Sequence, residues 1–471
     1  MIRFLLRFTL VKVVANKILI ANRGEIAVRI IRACKELGIP TVAVYSLADK
    51  QSLHVKIADE AICIGKAMSK DSYLNFNSVL SAAISTGCNA VHPGYGFLSE
   101  NSHFVEMVES CKINFIGPSS KIISMIGDKA MAKKLAIEAG VPVVEGSDGI
   151  IENIEDGIRV AQKITYPVMI KASSGGGGRG IVIVHNDDEF RSAFSRAALE
   201  AESSFGDKSL YVEKYIEKPH HIEVQIIGDK MGNIVHLGER DCSIQRRNQK
   251  VIEESPSTFI SAVLRRKLFA ASIKLAKSIG YYNAGTMEFL VDANENFYFI
   301  EMNTRIQVEH GVTEWVTGLD LIKEQIRIAY GNPLSFKQLD IHTKGHAIEC
   351  RICAENPYDN FRPTPGTITN VVFPGGPGVR IDTHIYSQYE ISPYYDSLLA
   401  KLIVYAPTRR EAIRKIRCAL EQFVIEGIIN NIEYLYLIMH QPEFVKGQVD
   451  TGFIARFTEA IERERNVGVS G

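Results

Sequence analysis

From Lys17 onward the chain alternates strand-like apolar runs with helical runs, and this restricts the fold more than any other feature. "KILIAN" is an apolar run of strand length. "GEIAVRIIRACKELG" carries apolar residues at helical spacing and ends on Gly38, a residue suited to the left-handed position after a helix. "TVAVYS", "ADEAICIG", "CNAVHPGYG" and "INFIGPS" continue the alternation. Strands separated by helices predict a parallel sheet with helices on its faces. Only Gly24 follows the first strand, so the unit lacks the Gly-x-Gly-x-x-Gly fingerprint of dinucleotide folds.

A second region, from about Asp128 to about Asn332, mixes helices with hairpins. A third, from about Gly345, holds short strands ("HAIECRICA", "GTITNVVFP", "GVRIDTHIY", "AKLIVYA") between turn-rich segments, and closes with helices from Arg409. The fold class expected is therefore multidomain α/β and α+β, with the C-terminal part mostly antiparallel β. Lys+Arg and Asp+Glu both number 54. That balance argues against a general nucleic-acid or acidic-membrane surface but permits a local basic pocket. Eight cysteines in 471 residues form no disulfide framework and fit reduced thiols in a cytoplasm. Cys350 and Cys353 make a lone Cys-x-x-Cys with no second pair, a poor metal or redox motif. No apolar run reaches membrane-spanning length. The opening "MIRFLLRFTLVKVV", with Arg3, Arg7 and Lys12 and no acid, is read as a plain extension, with an organellar leader as the alternative.

The chemistry concentrates in "IEMNTRIQVEH". Side chains two apart on a strand share a face. If residues 301–309 are extended, one face carries Glu301, Asn303, Arg305, Gln307 and Glu309, and the other Met302, Thr304, Ile306, Val308 and His310. "GTMEFLVDANENFYFIEMN" reads as a hairpin whose turn centres between Asn294 and Glu295, which sets Glu288 opposite Glu301. Two carboxylates so placed repel unless a cation lies between them, and all-oxygen ligands suit Mg2+ or Mn2+. Arg305 has the fork to grip a small oxyanion, and Glu309 stands where it could take that anion's proton. "ERDCSIQRRNQKV" adds Arg246, Arg247 and Lys250 as a positive cluster. In "VMIKASSGGGGRGIVIV" the glycines are followed by a strand-like run, so strand, glycine loop and strand form a hairpin. Its tip could fold over phosphates, with Lys171 on the incoming strand as a cation for them.

Together these strings closely resemble the biotin carboxylase family, within the ATP-grasp ligases. The strings include "KILIANRGEIAVRIIRACKELGI", "HPGYGFLSEN", "KASSGGGGRG", "ERDCSIQRRNQK", "FIEMNTRIQVEH", "ECRICAE" and "PYYDSLLAKLIVY". The resemblance implies an extension at 1–15, an N-terminal pre-ATP-grasp domain at 16–127, and an ATP-grasp domain at 128–335 with a mobile lid at about 144–216. A C-terminal domain at 344–455 and a tail at 456–471 follow. It also implies roles. Lys129 and Lys171 match lysines that hold ATP phosphates beneath a lid carrying Gly175, Gly176, Gly177 and Gly178. Glu213, Lys214 and Ile216 match the adenine-binding stretch, and His221 and Gln245 its ribose side. Glu288, Glu301 and Asn303 match ligands of a pair of Mg2+ or Mn2+ ions. Lys250, Arg305, Gln307 and the Val308 backbone match the bicarbonate pocket, Glu309 the base, and Arg351 the arginine facing the biotin enolate. Ser174, Asn248 and Gly311 depart from the family pattern, Gly311 replacing the usual proline in a way expected to loosen the exit from the active strand.

No Met-Lys-Met-like biotinylation site is present. Biotin is therefore expected on a separate carrier protein, with carboxyltransferase subunits and a second copy of the chain as further partners. The implied activity is the ATP- and bicarbonate-dependent half-reaction of acetyl-CoA carboxylase, in a bacterial cytoplasm. A split pyruvate or propionyl-CoA carboxylase is the alternative. An amine-using ATP-grasp ligase would not need Glu309 and Arg351, and a non-catalytic nucleotide sensor would be expected to have lost the base or the metal acids.

Overall fold

Ile18, Leu19 and Ile20 show why the first sheet is covered on both sides. Ile18 and Ile20 join one apolar cluster with the helix Gly24–Glu36, while Leu19 joins another on the opposite face. This alternation is what a strand buried on both faces requires. The strand Ile18–Ile20 lies at the centre of five parallel strands, in the order Glu60–Gly65, Thr41–Ser46, Ile18–Ile20, Ala90–His92, Asn114–Phe115. Gly38 holds the expected left-handed conformation beyond the helix (φ 70°). The computed structural model describes residues 17–172 and 180–468. The N-terminal extension, Ser174 and Gly175–Gly178 lie outside the described residues.

The glycine segment joins Val168–Ala172 to Ile181–Val184, and these pair antiparallel. The two flanking strands are therefore the arms of a hairpin, as the strand-like run after the glycines predicts. Leu210–Lys214 adds on the other side of Val168–Ala172. The helices Ile154–Ile164 and Asp187–Phe205 pack on this small sheet around Phe190.

The largest element is an antiparallel sheet of eight strands. Its order is Phe297–Asn303, Asn283–Val291, His220–Gly228, Ile234–Arg246, Gln249–Ser255, His346–Cys353, Leu398–Ala406, Val379–Thr383. It runs without a break across the boundary expected at residues 335–344, because Gln249–Ser255 pairs directly with His346–Cys353. Helix Arg409–Gln422 starts at the predicted point, with Thr408 and Glu411 forming a reciprocal cap. Among the described residues, no helix is long and apolar enough to cross a membrane.

Candidate active site

Four charged residues form one transverse row across this sheet. Arg240 pairs with Glu223, Glu223 with Glu288, and Glu288 with Glu301. One step along the same face runs a second row: Gln225, Thr286, Asn303. Glu288 and Glu301 do oppose each other, but by a different route from the one the sequence suggests. The turn centres on Asn294, closed by Asp292 and Asn296, which alone would put the strands half a step out. An extra residue in the returning strand, Ile300, lies between the pairs Phe289–Phe299 and Glu288–Glu301 and restores the opposition.

The expectation of a straight strand over 301–309 is overturned. The strand ends at Asn303. It lies at the edge of the sheet and needs no partner beyond that point. The Thr304 amide instead donates to Glu100 Oε1 (3.0 Å), and Arg305 Nε donates to Glu100 Oε2 (2.8 Å). The chain then turns, and Glu309 becomes the cap residue of the helix His310–Thr317. Asn303, Arg305 and Gln307 still converge, through this turn and not along a strand face, and Glu309 joins them through Lys250 and Glu288. Arg305 donates to Asn303 Oδ1 (2.9 Å) and Gln307 Oε1 (3.1 Å). Gln307 Nε2 and Asn303 Nδ2 donate to Glu288 Oε1 (3.2 and 2.9 Å).

Lys250 stands at the centre. Its ammonium lies 2.5 Å from Glu223, 2.8 Å from Glu288 and 2.7 Å from Glu309. Burial works against its charge, but the three carboxylates overcome that and hold its pKa well above the usual value. Glu309 is fully buried, with Lys250 on one oxygen and Arg351 on the other (2.9 Å). Burial alone would raise its carboxyl; Lys250, Arg351 and Arg240 hold it well below the usual carboxylate range. Glu288 is depressed in the same way, against burial, by Lys250 and by His221, whose Nε2 lies 3.0 Å away. Burial raises Glu301, and the Glu288 charge opposite adds to the rise.

Those last two facts test the fit of a divalent ion. The Glu301 carboxyl makes no hydrogen bond or ion pair with a described residue, and its charge is disfavoured where it stands. A cation beside Glu288 and Glu301 would relieve this, so the pair fits an oxygen-bound Mg2+ or Mn2+. Asn303 turns its nitrogen to Glu288 and its oxygen to Arg305, so its amide would have to rotate to serve as a ligand. The ligand atoms of His221, Glu223 and Glu288 also cluster, as do those of Glu223, Cys242 and Glu309. Lys250 already neutralises both groups.

The other expected residues are spread more widely. Lys171 bonds Glu213 at 2.5 Å, and Lys133 bonds the other oxygen of Glu213 at 3.1 Å. That pair ties the glycine hairpin to the helix Lys129–Glu138, which opens with the exposed Lys129. Lys214 donates to the carbonyls of Thr165 and Tyr166, and Ile216 and Gln245 are buried. The Val308 carbonyl accepts from buried Lys401 (2.8 Å), so any backbone contact of Val308 to an anion falls to its N–H. Arg246 and Arg247 do not join Lys250. Both donate to Asn360, and Arg246 covers the Phe361 ring. Between the paired residues Arg246 and Gln249, Arg247 and Asn248 form a tight two-residue turn with φ of 49° and 63°. Asparagine suits that backbone.

Residues 14–123 match the family described as "Biotin carboxylase, N-terminal domain", and residues 349–456 the "Biotin carboxylase C-terminal domain". Residues 128–337 match "Carbamoyl-phosphate synthase L chain, ATP binding domain". Biotin carboxylase 1 of Bacillus subtilis is 54% identical over 443 residues, 94% of this chain and 98% of the relative. The chain belongs to the biotin carboxylase family. A pyruvate carboxylase subunit of Methanothermobacter thermautotrophicus is 50% identical over 449 residues, 95% of this chain and 91% of that one. The crystallised biotin carboxylase domain dimer of Hydrogenobacter thermophilus 2-oxoglutarate carboxylase, in complex with MgADP, ADP and bicarbonate, superposes with a TM-score of 0.88. It is 51% identical over 94% of this chain and 97% of that one. The chain is thus an ATP-dependent carboxylase of the ATP-grasp type.

The strings that mark the family do not by themselves show the middle of this biotin carboxylase site: Glu223, Arg240 and Glu253 are all fully buried in it. Glu223 carried a signal: His221, Glu223 and Gln225 alternate with apolar residues in "HHIEVQIIG", the same pattern that marked 301–309. Arg240 and Glu253 carried none, because their roles depend on which strands become neighbours. Gly311 is corrected as well. It is the second residue of a buried helix, and a Cβ there would lie 2.3 Å from Ile403 Cδ1. The glycine allows close packing of helix on sheet and does not loosen the chain.

Proposed function

We propose that this biotin carboxylase performs the first half-reaction of acetyl-CoA carboxylase, carboxylating biotin held on a separate carrier protein and so supporting malonyl-CoA and fatty-acid synthesis. The observation that carries the chemistry is the buried Glu309, set between Lys250 and Arg351 and joined through Lys250 to the Glu288–Gln307–Arg305 group. In this reading bicarbonate enters beside Lys250, Arg305, Gln307 and the Val308 N–H, and draws Lys250 away from Glu309. With its pKa released, Glu309 takes the bicarbonate proton. The bicarbonate oxygen then attacks the γ-phosphorus of ATP as the bond to ADP breaks, giving carboxyphosphate. Carboxyphosphate divides into CO2 and phosphate, phosphate accepts the N1′ proton of biotin, and the ureido nitrogen attacks CO2 while Arg351 faces the enolate oxygen.

Lys129 and Lys171 would hold the ATP phosphates, the latter after leaving Glu213. Gly175 to Gly178 would cover the phosphates, Glu213, Lys214 and Ile216 receive adenine, and His221 and Gln245 the ribose. Glu288 and Glu301, with Asn303 turned, would hold Mg2+ or Mn2+, which when bound neutralises charge building on the phosphates. The 2-oxoglutarate carboxylase relative, crystallised with MgADP and bicarbonate, supports this ligand set. We assign the chain a homodimeric state, a carboxyltransferase partner and a cytoplasmic place, the last supported by eight unpaired thiols. The pyruvate carboxylase relative favours a second reading, the ATP-dependent subunit of a split pyruvate or propionyl-CoA carboxylase.

Two experiments test these points. Capture of the carboxyltransferase with the tagged chain, followed by assay with acetyl-CoA, pyruvate and propionyl-CoA, decides the acceptor; transfer to pyruvate alone would refute the acetyl-CoA assignment. Glu309→Gln should lose at least about 100-fold in biotin carboxylation while still binding ATP. Near-normal turnover would remove Glu309 from the mechanism.

A further inference from the structure

Arg351 is held by two carboxylates, and the chemistry above uses only one of them. Its Nη2 lies 2.9 Å from Glu309 Oε2. Its Nε donates to Glu253 Oε1 at 2.6 Å, and Nη2 lies equally close to the same oxygen. The two acids therefore take one edge of the guanidinium. Its Nη1 engages neither, and the side chain remains 18% exposed. Glu253 and Arg351 reach each other because Gln249–Ser255 pairs with His346–Cys353, with Glu253 opposite Glu349 and Arg351 two residues along the same face.

Glu253 is an expensive residue to keep here. It is fully buried, and its second oxygen has no hydrogen-bond partner. Glu349, its cross-strand neighbour, is also fully buried, with neither oxygen bonded. Apolar side chains of similar volume would serve the stability of such a core better than a carboxylate with one oxygen unbonded beside a second acid with neither bonded. Glu253 touches no group assigned to ATP, metal or bicarbonate except through Arg351.

We infer that Glu253 is the positioning residue for Arg351: it keeps the guanidinium edge fixed while Glu309 changes charge during the reaction. The inference rests on the proposed carboxylation mechanism. Before bicarbonate reacts, Glu309 and Glu253 share Arg351. The proton that leaves the bicarbonate oxygen passes to a Glu309 oxygen, Glu309 becomes neutral, and its hold on Nη2 weakens. Burial and the neighbouring Glu309 charge push the Glu253 carboxyl up to about 7 against the pull of Arg351; once Glu309 is neutral that repulsion ends, and Glu253 retains Nε as a carboxylate. Nη1, and now Nη2, are thereby presented to the enolate oxygen of biotin at the stage when CO2 is formed. Without Glu253, Arg351 would be left with no charged partner at that moment and would not hold its aim.

The test uses the full chain with free biotin, bicarbonate and MgATP, and measures carboxybiotin formed per ADP released together with KM for biotin and for bicarbonate. Glu253→Gln keeps the shape and removes the charge. The expected result is a fall in the carboxybiotin-to-ADP ratio of at least about tenfold, the loss typical of one charged hydrogen bond. KM for biotin should rise, with KM for bicarbonate moving far less. Glu349→Gln, in the same buried row but with no hydrogen bond or ion pair to Arg351, should leave the ratio near that of the unaltered chain. An unchanged ratio in Glu253→Gln, or an equal fall in Glu349→Gln, would overturn the inference. If Glu253→Gln does not fold, Glu253→Asp, which withdraws the carboxylate by one methylene, reads the same ratio. Failure of the unaltered chain to release ADP in a biotin-dependent manner would instead refute the functional reading beneath it.

Discussion

Replacing Lys250 with glutamine removes the cation at the centre of the site while keeping much of its volume. Three carboxylates lose a partner at 2.5–2.8 Å. None is left bare: Glu223 keeps Arg240, Glu288 keeps the amides of Asn303 and Gln307, and Glu309 keeps Arg351. Breaking one side of a buried ion pair costs about 3–5 kcal/mol, and the surviving partners argue for the lower end, about 3 kcal/mol. The only tryptophan of the chain reports on the region. Trp315 sits on the helix that begins after Glu309 and stacks on Tyr405 at 5.4 Å. Urea unfolding followed by its fluorescence therefore measures the stability of the site and not a mean over the domains. The pH dependence has a definite sign. Lys250 depresses the folded-state pKa of Glu309, so its contribution is complete above the ordinary carboxyl value of 4.5 and fades as pH falls below it. The gap between the unaltered chain and Lys250→Gln should be about 3 kcal/mol at pH 7.5 and shrink in acid. A gap under about 1 kcal/mol at pH 7.5, or one that does not narrow as pH falls, would refute the cage as drawn.

Other outcomes follow from single contacts. Gly311→Ala should destabilise by no more than about 1 kcal/mol, since the atom its Cβ would press on is Ile403 Cδ1, the rotatable end of that side chain, and Ile403→Val should remove the cost in a double variant measured by thermal unfolding. Asp49, buried against Arg23 at 2.7 Å, is held down to about 2 by that guanidinium despite its burial. Its contribution is full above the ordinary 3.8 and is lost as pH falls toward 2; Asp49→Asn should remove about 2 kcal/mol of acid-sensitive stability. An unaltered acid limb in that variant would show that Asp49 does not titrate as described.

Local residue patterns carried most of the elements. The apolar alternation from Lys17 and the glycine hairpin depend on neighbours in sequence, so their periods survive in the linear chain, whereas the Glu288–Glu301 opposition holds only because an extra residue, Ile300, corrects the register that the turn sets. The straight polar strand over 301–309 failed for a nonlocal reason. An edge strand has no partner to hold it extended, and the Thr304 amide found its acceptor in Glu100, about two hundred residues away in the chain. Arg246 and Arg247 looked like partners of Lys250, but a tight turn sends them to Asn360.

By itself the sequence determined which residues carry charge, the period at which they recur, and the family the chain resembles. Which charges neutralise which was decided only when the strands took their order. Arg240, Glu223, Glu288 and Glu301 come from four strands, and Glu253 reaches Arg351 only because two strands nearly a hundred residues apart lie side by side. An ion pair depends on distance and burial, and neither exists until the chain has folded.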